Sequence, residues 1–204
     1  MRLGPEKFEI TPGESVAMSL RRELLGAAKN VEEIEKEREI VAEIAAKAKT
    51  SLFNAALIRE KERKSGNPTN PNSPFANFAR LRIAEGLDLP DDEVLKFYSS
   101  VSGSKNQTVL ERDFKVNAFL ELEREEDALI VPISLTTRSE ENPYALVYDL
   151  PKDFPIHGRF EKNEFIGLLP SEEKLFRDAV QDLANQISRR FKHLIEIEKS
   201  KKEK

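Results

Sequence analysis

The ten residues Ser65 to Pro74, SGNPTNPNSP, constrain this chain more than any others. Proline fixes φ and withholds an amide hydrogen, and the Asn, Ser and Gly between the prolines favour turns, so no helix or strand runs through the stretch. It reads as an exposed linker. It divides the chain into a helical N-terminal region, residues 1–64, and a main domain, residues 75–204.

The first region carries two helix starts. Thr11 is a candidate N-cap, with Pro12 at the first helical position and Glu14 completing a T-x-x-E capping box. Val16, Leu20, Leu24 and Ala27 follow at helical spacing. A second start at Asn30 leads into NVEEIEKEREIVAEIAAKAKTSLFNAALIREKERK. Its apolar stripe is Ile34, Val41, Ala45, Ala48, Leu52 and Ala55, with Ile44 and Ile58 beside it, opposite a face dense in Glu, Lys and Arg. The two helices pair as a hairpin, or the second is a long arm over residues 30–64 that binds a protein partner or a second copy of the chain. The arm reading predicts that part of the Ile34 to Ile58 stripe stays uncovered, as interface patches do.

Beyond the linker, FANFARLRIAEG predicts a short helix ending at Gly86, and LPDDEVLKFYSSV a second, with acids in its first turn. The period then changes to two. Phe114, Val116, Ala118, Leu120 and Leu122 share one face; Asp113, Lys115, Asn117, Phe119, Glu121 and Glu123 share the other, as in a half-buried strand. REED turns the chain, and ALIVPISLTT is apolar enough for burial on both faces. Pro132 lacks a ladder hydrogen bond, so it belongs at an edge, a bulge or a strand start. NPYALVYDL gives a third strand and HGRFEKNEFIGLLP a short hairpin or loop. A long helix closes the chain, capped by Ser171, with Leu175, Ala179, Leu183, Ile187, Phe191 and Leu194 as its stripe. The class is α+β: a helical N-terminal region, then a three-stranded antiparallel sheet flanked by helices.

That α-β-β-β-α order, with ERDFKVNAFLEL followed by IVPISLTTR, resembles part of the PD-(D/E)XK nuclease superfamily over roughly forty residues. The resemblance implies a strand-borne acid and a D/E-x-K on the next strand, where carboxylates hold a divalent cation and the lysine orients the attacking water. Here Asn117 stands in place of the first acid, Ser134 of the second and Thr136 of the lysine, and the family's final strand is missing. Asn and Ser lack the charge a magnesium site needs. The implied protein is a degenerate member without efficient hydrolysis, associated with nucleic acid. Its site is the face of Asp113, Asn117 and Glu121 beside Ser134 and Thr136, with Lys115 and Arg138 as binding residues. It has no cofactor, and magnesium enters only if the site is active. Such a site should bring Asn117 and Ser134 side by side over a concave charged groove. The remaining acids, Glu111, Asp113, Glu121 and Asp127, do not make a relocated one: on a continuous strand, Asp113 and Glu121 are about 26 Å apart at ~3.3 Å per residue.

ALIVPISLTTRSEENPYALVYDL is also similar to the central strands of the mRNA interferase toxins with an SH3-like barrel, which implies RNA contacts from Thr136, Thr137 and Arg138 and a closed sheet.

Other chemistries are excluded more simply. The chain has no cysteine and only two histidines, His157 and His193, which removes thiolate and histidine-rich metal chemistry. It has no nucleotide-cradling glycine loop and no nucleophile elbow. A net charge of −4 and interleaved acids at each basic cluster oppose a protein built around phosphate contacts. Phe75, Phe78, Phe97 and Tyr98 fit a core better than a base-stacking platform. No apolar stretch reaches membrane-spanning length and no secretory leader is present, so a cytoplasmic protein is expected.

Overall fold

The computed structural model describes residues 21–22, 24–26, 31, 33–63, 66–102, 106–125, 127–136, 141–151, 154, 159–161, 164–166 and 169–202. The expected caps at Thr11 and Asn30 lie outside these. Arg21, Arg22, Leu24 and Leu25 are helical, and Leu24 and Leu25 are buried.

The stretch expected to be one arm is two helices, α1 (Ile34–Ala48) and α2 (Leu52–Glu62). Lys49 breaks it: its φ is 49°, a left-handed conformation that costs a side-chain-bearing residue about 1 kcal/mol. Thr50 N–H closes the turn on Ala45 O at 3.1 Å, and the Ser51 hydroxyl accepts Asn54 N–H to start α2. The proline-rich stretch then packs on its neighbours. Phe97 N–H donates to Pro68 O at 2.8 Å, and Ser73 is buried and caps α3 (Pro74–Gly86).

LPDDEVLKFYSSV is not a helix. A 3-10 turn over Asp92–Val94, capped by Asp91, leads into strand β1 (Leu95–Ser99). The alternation of buried Leu95, Phe97 and Ser99 with half-buried Lys96 and Tyr98 has a period of two, which outweighed the acidic helix-start signal. Buried Arg80 of α3 fixes the entry, donating to Asp92 O and Leu95 O and pairing with the Asp92 carboxylate at 2.7 Å.

A short helix, α4 (Val109–Asp113), precedes β2 (Ala118–Glu123), so Asp113 lies on a helix rather than on the strand face assigned to it. β3 (Ala128–Thr136) pairs antiparallel with β2, and β4 (Leu146–Asp149) pairs parallel with β3. The α+β class holds. The sheet, though, has four strands in the order β1-β2-β3-β4 and is mixed, where three antiparallel strands were expected. It is open, without the closure the barrel reading requires. β5 (Arg159–Glu161) and β6 (Glu164–Ile166) form the expected small hairpin. Helix α5 (Pro170–Lys202) begins one residue before Ser171, and Glu172 accepts Leu169 N–H at 2.7 Å in the capping position.

Pro132 sits in mid-strand, opposite Phe119. Phe97 bonds outward to Pro68, so Tyr98 bonds inward to Phe119, and Phe119 is turned from β3. Pro132 therefore faces away from β2, toward the β4 side. β4 pairs only Ile133 to Thr136, so β3 is locally an edge where the proline lacks its N–H.

Both faces of the sheet are covered. Leu95, Phe97, Leu120, Leu122, Val131, Ile133 and Leu135 pack with Ile83 of α3 and Val180, Leu183, Ile187 and Phe191 of α5. On the other face Phe119 and Val116 pack with Val41 of α1, Ala55, Ala56 and Leu57 of α2, and Leu110 of α4. Small alanines let α2 approach closely. Burial of Phe119, expected on a wet face, contributes roughly 2–3 kcal/mol.

Candidate functional site

β2 pairs with β3 as far as Ala118 opposite Ile133; Asn117 lies just before that pairing, its N–H on Ile133 O, and Ser134 just after it. Among the described residues, these positions are buried rather than set in a charged groove. Asn117 is 2 % exposed, Ser134 8 % and Thr136 7 %. Three polar groups of Asn117 are engaged with main chain. Its N–H donates to Ile133 O at 2.9 Å, its C=O accepts Ser100 N–H at 2.9 Å, and its Oδ1 accepts Leu135 N–H at 2.8 Å. The side chain replaces a missing carbonyl where β2 begins.

A polar seam continues from this corner. The Ser100 hydroxyl donates to Val116 O, and the Thr108 hydroxyl donates to Ser100 O at 2.9 Å while capping α4. Glu111, on the first turn of α4, is buried and accepts Ser102 N–H at 3.4 Å. Burial pushes its carboxyl above the usual range, against the pull of that hydrogen bond and of Arg21 and Arg22. Arg21 donates to Leu135 O at 3.0 Å, and Arg22 to Ser102 O at 3.1 Å. Two guanidinium groups thus stand beside this seam.

The other predicted acids are dispersed. Asp113 forms a two-pronged pair with Arg38 of α1, at 3.1 and 2.8 Å, on the surface. Glu121 is buried beneath α2, where Lys61 Nζ lies 2.5 Å from its Oε2 at an angle too oblique for a hydrogen bond. Asp127 pairs with Arg124 at the hairpin turn. Among the described residues no three His, Asp or Glu side chains are arranged to hold a metal ion. Lys115 is exposed at φ 55°, its carbonyl held by the Asn142 side chain at 3.1 Å. Thr137, Arg138 and His157 lie outside the described residues.

Two groups of residues escaped the sequence reading. The first is a buried charge cluster where α1 meets α2. Glu37 pairs with Arg59 at 3.2 Å and with Arg63, and Arg63 Nε lies 3.3 Å from Glu60 Oε1. Burial pushes the Glu60 carboxyl up to about 8, with Arg63 opposing and Glu37 adding to it, and its Oε2 has no hydrogen-bond partner. These residues lie on a face that reads as solvated until the break at Lys49 folds it inward.

The second group is the elbow of that hairpin. The rings of Phe53, Phe114 and Tyr144 meet with centroids 5.2, 5.0 and 5.3 Å apart. Tyr144 is 47 % exposed and Leu52 beside it 56 %. Lys47 and Lys49 precede Leu52, and Arg112 and Lys115 flank Phe114; all four are exposed. Arg38 neutralises Asp113, the acid next to this ring cluster in sequence. The only signal in sequence was the uncovered part of the apolar stripe, Ala48 and Leu52. The other ring-bearing positions follow the core reading, with Phe75 and Phe97 buried and Phe78 and Tyr98 half-buried.

No family model matches this chain, and no curated protein or solved structure matches it at a significant level.

Proposed function

We propose that this protein binds single-stranded nucleic acid at the α1–α2 elbow and does not cleave it. The elbow carries the reading: an exposed Tyr144 ring backed by half-buried Phe53 and Phe114, with four exposed cations near them in sequence and Asp113 paired to Arg38. Bases stack on such rings whatever their identity, while Lys and Arg follow the phosphates. The degenerate nuclease-like reading is consistent with this. In that reading Asn117 and Ser134 stand for the two acids; Asn117 is spent on main-chain hydrogen bonds and Ser134 is buried. No carboxylate there is available to activate water through a cation.

The test is a fluorescence-anisotropy titration with fluorescein-labelled oligo-dT and oligo-U. If Lys47, Lys49, Arg112 and Lys115 each neutralise one phosphate, affinity falls about 50-fold between 50 and 200 mM salt. Binding that is absent, or indifferent to salt, would remove the reading.

A second reading, a protein-interaction module using the same elbow for a partner or a second copy, is favoured by Leu52, whose aliphatic side chain offers nothing to a base. Dimerisation in light scattering that is lost in Leu52→Glu would select it.

A further inference from the structure

A cleft of about 220 Å³ lies between Leu25 and Gly26, Lys61 at the end of α2, the proline-rich loop and the edge strand β1. Its walls are pinned. Phe97 N–H donates to Pro68 O, Asn70 N–H to Asn67 O, and the Ser73 and Ser99 hydroxyls to Leu24 O and Gly26 O. Gly66 lies at its mouth with φ 131°, and a Cβ there would meet nothing within 4 Å. The space is therefore preformed.

The floor has a definite chemistry. In an antiparallel ladder, residues bond alternately to the partner strand and away from it. Ser100 bonds inward to Asn117 and Phe97 outward to Pro68, so Ser99 turns its N–H, and Phe97 its C=O, away from β2 beside the cleft they line. An edge with a donor and an acceptor so placed is a template for an added strand. At the rim stands Lys61, its side chain 36 % exposed, over Glu121, which is 3 % exposed. Part of the Lys61 side chain thus stays in solvent while its counter-charge lies beneath. The volume is below that of drug-sized pockets, which suits a chain end and excludes a helix.

We propose that this cleft takes the carboxyl end of an extended peptide, its main chain adding to β1 at Phe97 and Ser99 and its terminal carboxylate meeting Lys61. The site is separate from the elbow and does not depend on nucleic-acid binding.

The experiment is an amide NMR titration of the full chain with acetyl-trialanine as the free acid and as the carboxamide. The free acid should shift the Ser99, Gly66 and Asn67 amides saturably at millimolar concentration, with the carboxamide about tenfold weaker. Asn72→Phe, at an exposed lining position, should block the shifts and leave the unfolding midpoint unchanged. No saturable shift, equal affinity for acid and carboxamide, or undiminished binding by Asn72→Phe would each overturn the proposal.

Discussion

The Asn117 carboxamide oxygen accepts the Leu135 N–H at 2.8 Å, tying the residue before β2 to the end of β3. This buried polar side chain is thus spent on main-chain geometry. Asn117→Ala leaves the Leu135 N–H buried without a partner and should destabilise by about 2–3 kcal/mol in urea unfolding. Asn117→Asp keeps an acceptor but buries a negative charge, so it too should lose stability and should gain no magnesium binding by calorimetry.

Glu60 sets a pH dependence whose sign is fixed by its burial. Burial lifts its folded carboxyl to about 8, against 4.5 for an unburied one. Between those values the folded state holds a proton the unfolded state has lost, so stability falls as pH rises, by at most about 1.4 kcal/mol per pH unit. The contribution is whole below pH 4.5 and gone above about 8. Glu60→Gln should flatten the decline and leave the variant more stable than wild type at pH 9. Glu111, raised in the same direction, leaves a residual slope. Denaturant midpoints at pH 5, 7 and 9 measure this, and an unchanged slope in the variant would refute it.

Lys61 and Glu121 should behave as a coupled pair. Lys61→Met strands a buried carboxylate, which costs about 1–3 kcal/mol at this partly solvated site, less than a fully buried pair. Adding Glu121→Leu should recover most of the loss. The coupling energy in a double-mutant cycle checks it, and additive losses would contradict the pairing.

At the elbow, Tyr144→Ala should weaken oligonucleotide binding by roughly 1–3 kcal/mol, the range for one stacked base. Lys49→Glu with Lys115→Glu should lower the salt slope. Lys49 and Lys115 are exposed, so their substitution should move thermal stability by less than about 0.5 kcal/mol, whereas Tyr144→Ala also loses its ring contacts and should cost about 1 kcal/mol or more. Unaltered affinity in Tyr144→Ala would place the strand elsewhere.

The regular elements were legible where one periodicity dominated. The α5 stripe from Ala179 to Phe191 is buried as its spacing implied, and α3 lies where FANFARLRIAEG placed it. β1 was misread because Asp91, Asp92 and Glu93 give a helix-start signal that the chain spends on a 3-10 turn. The β2 alternation was real, but its second face is Phe119 under α2 rather than water; a period of two shows which residues share a face, not what covers it. Asn117 and Ser134, singled out through the nuclease resemblance, are both buried at the end of the β2–β3 pairing. Asp113 was wrongly joined to them because the turn at Lys115, which separates helix from strand, leaves no mark in the alternation. The Glu37–Arg59–Arg63–Glu60 cluster depends on the fold-back at Lys49, a conformation lysine rarely adopts, and no local pattern announces it.

The most direct measurement follows binding and cutting in one reaction. Labelled single-stranded DNA or RNA is incubated with the full chain and magnesium or manganese, and read by anisotropy and then on a denaturing gel. The account predicts an oligonucleotide that is bound and stays intact. Metal-dependent cleavage that disappears in Asp113→Ala would contradict it.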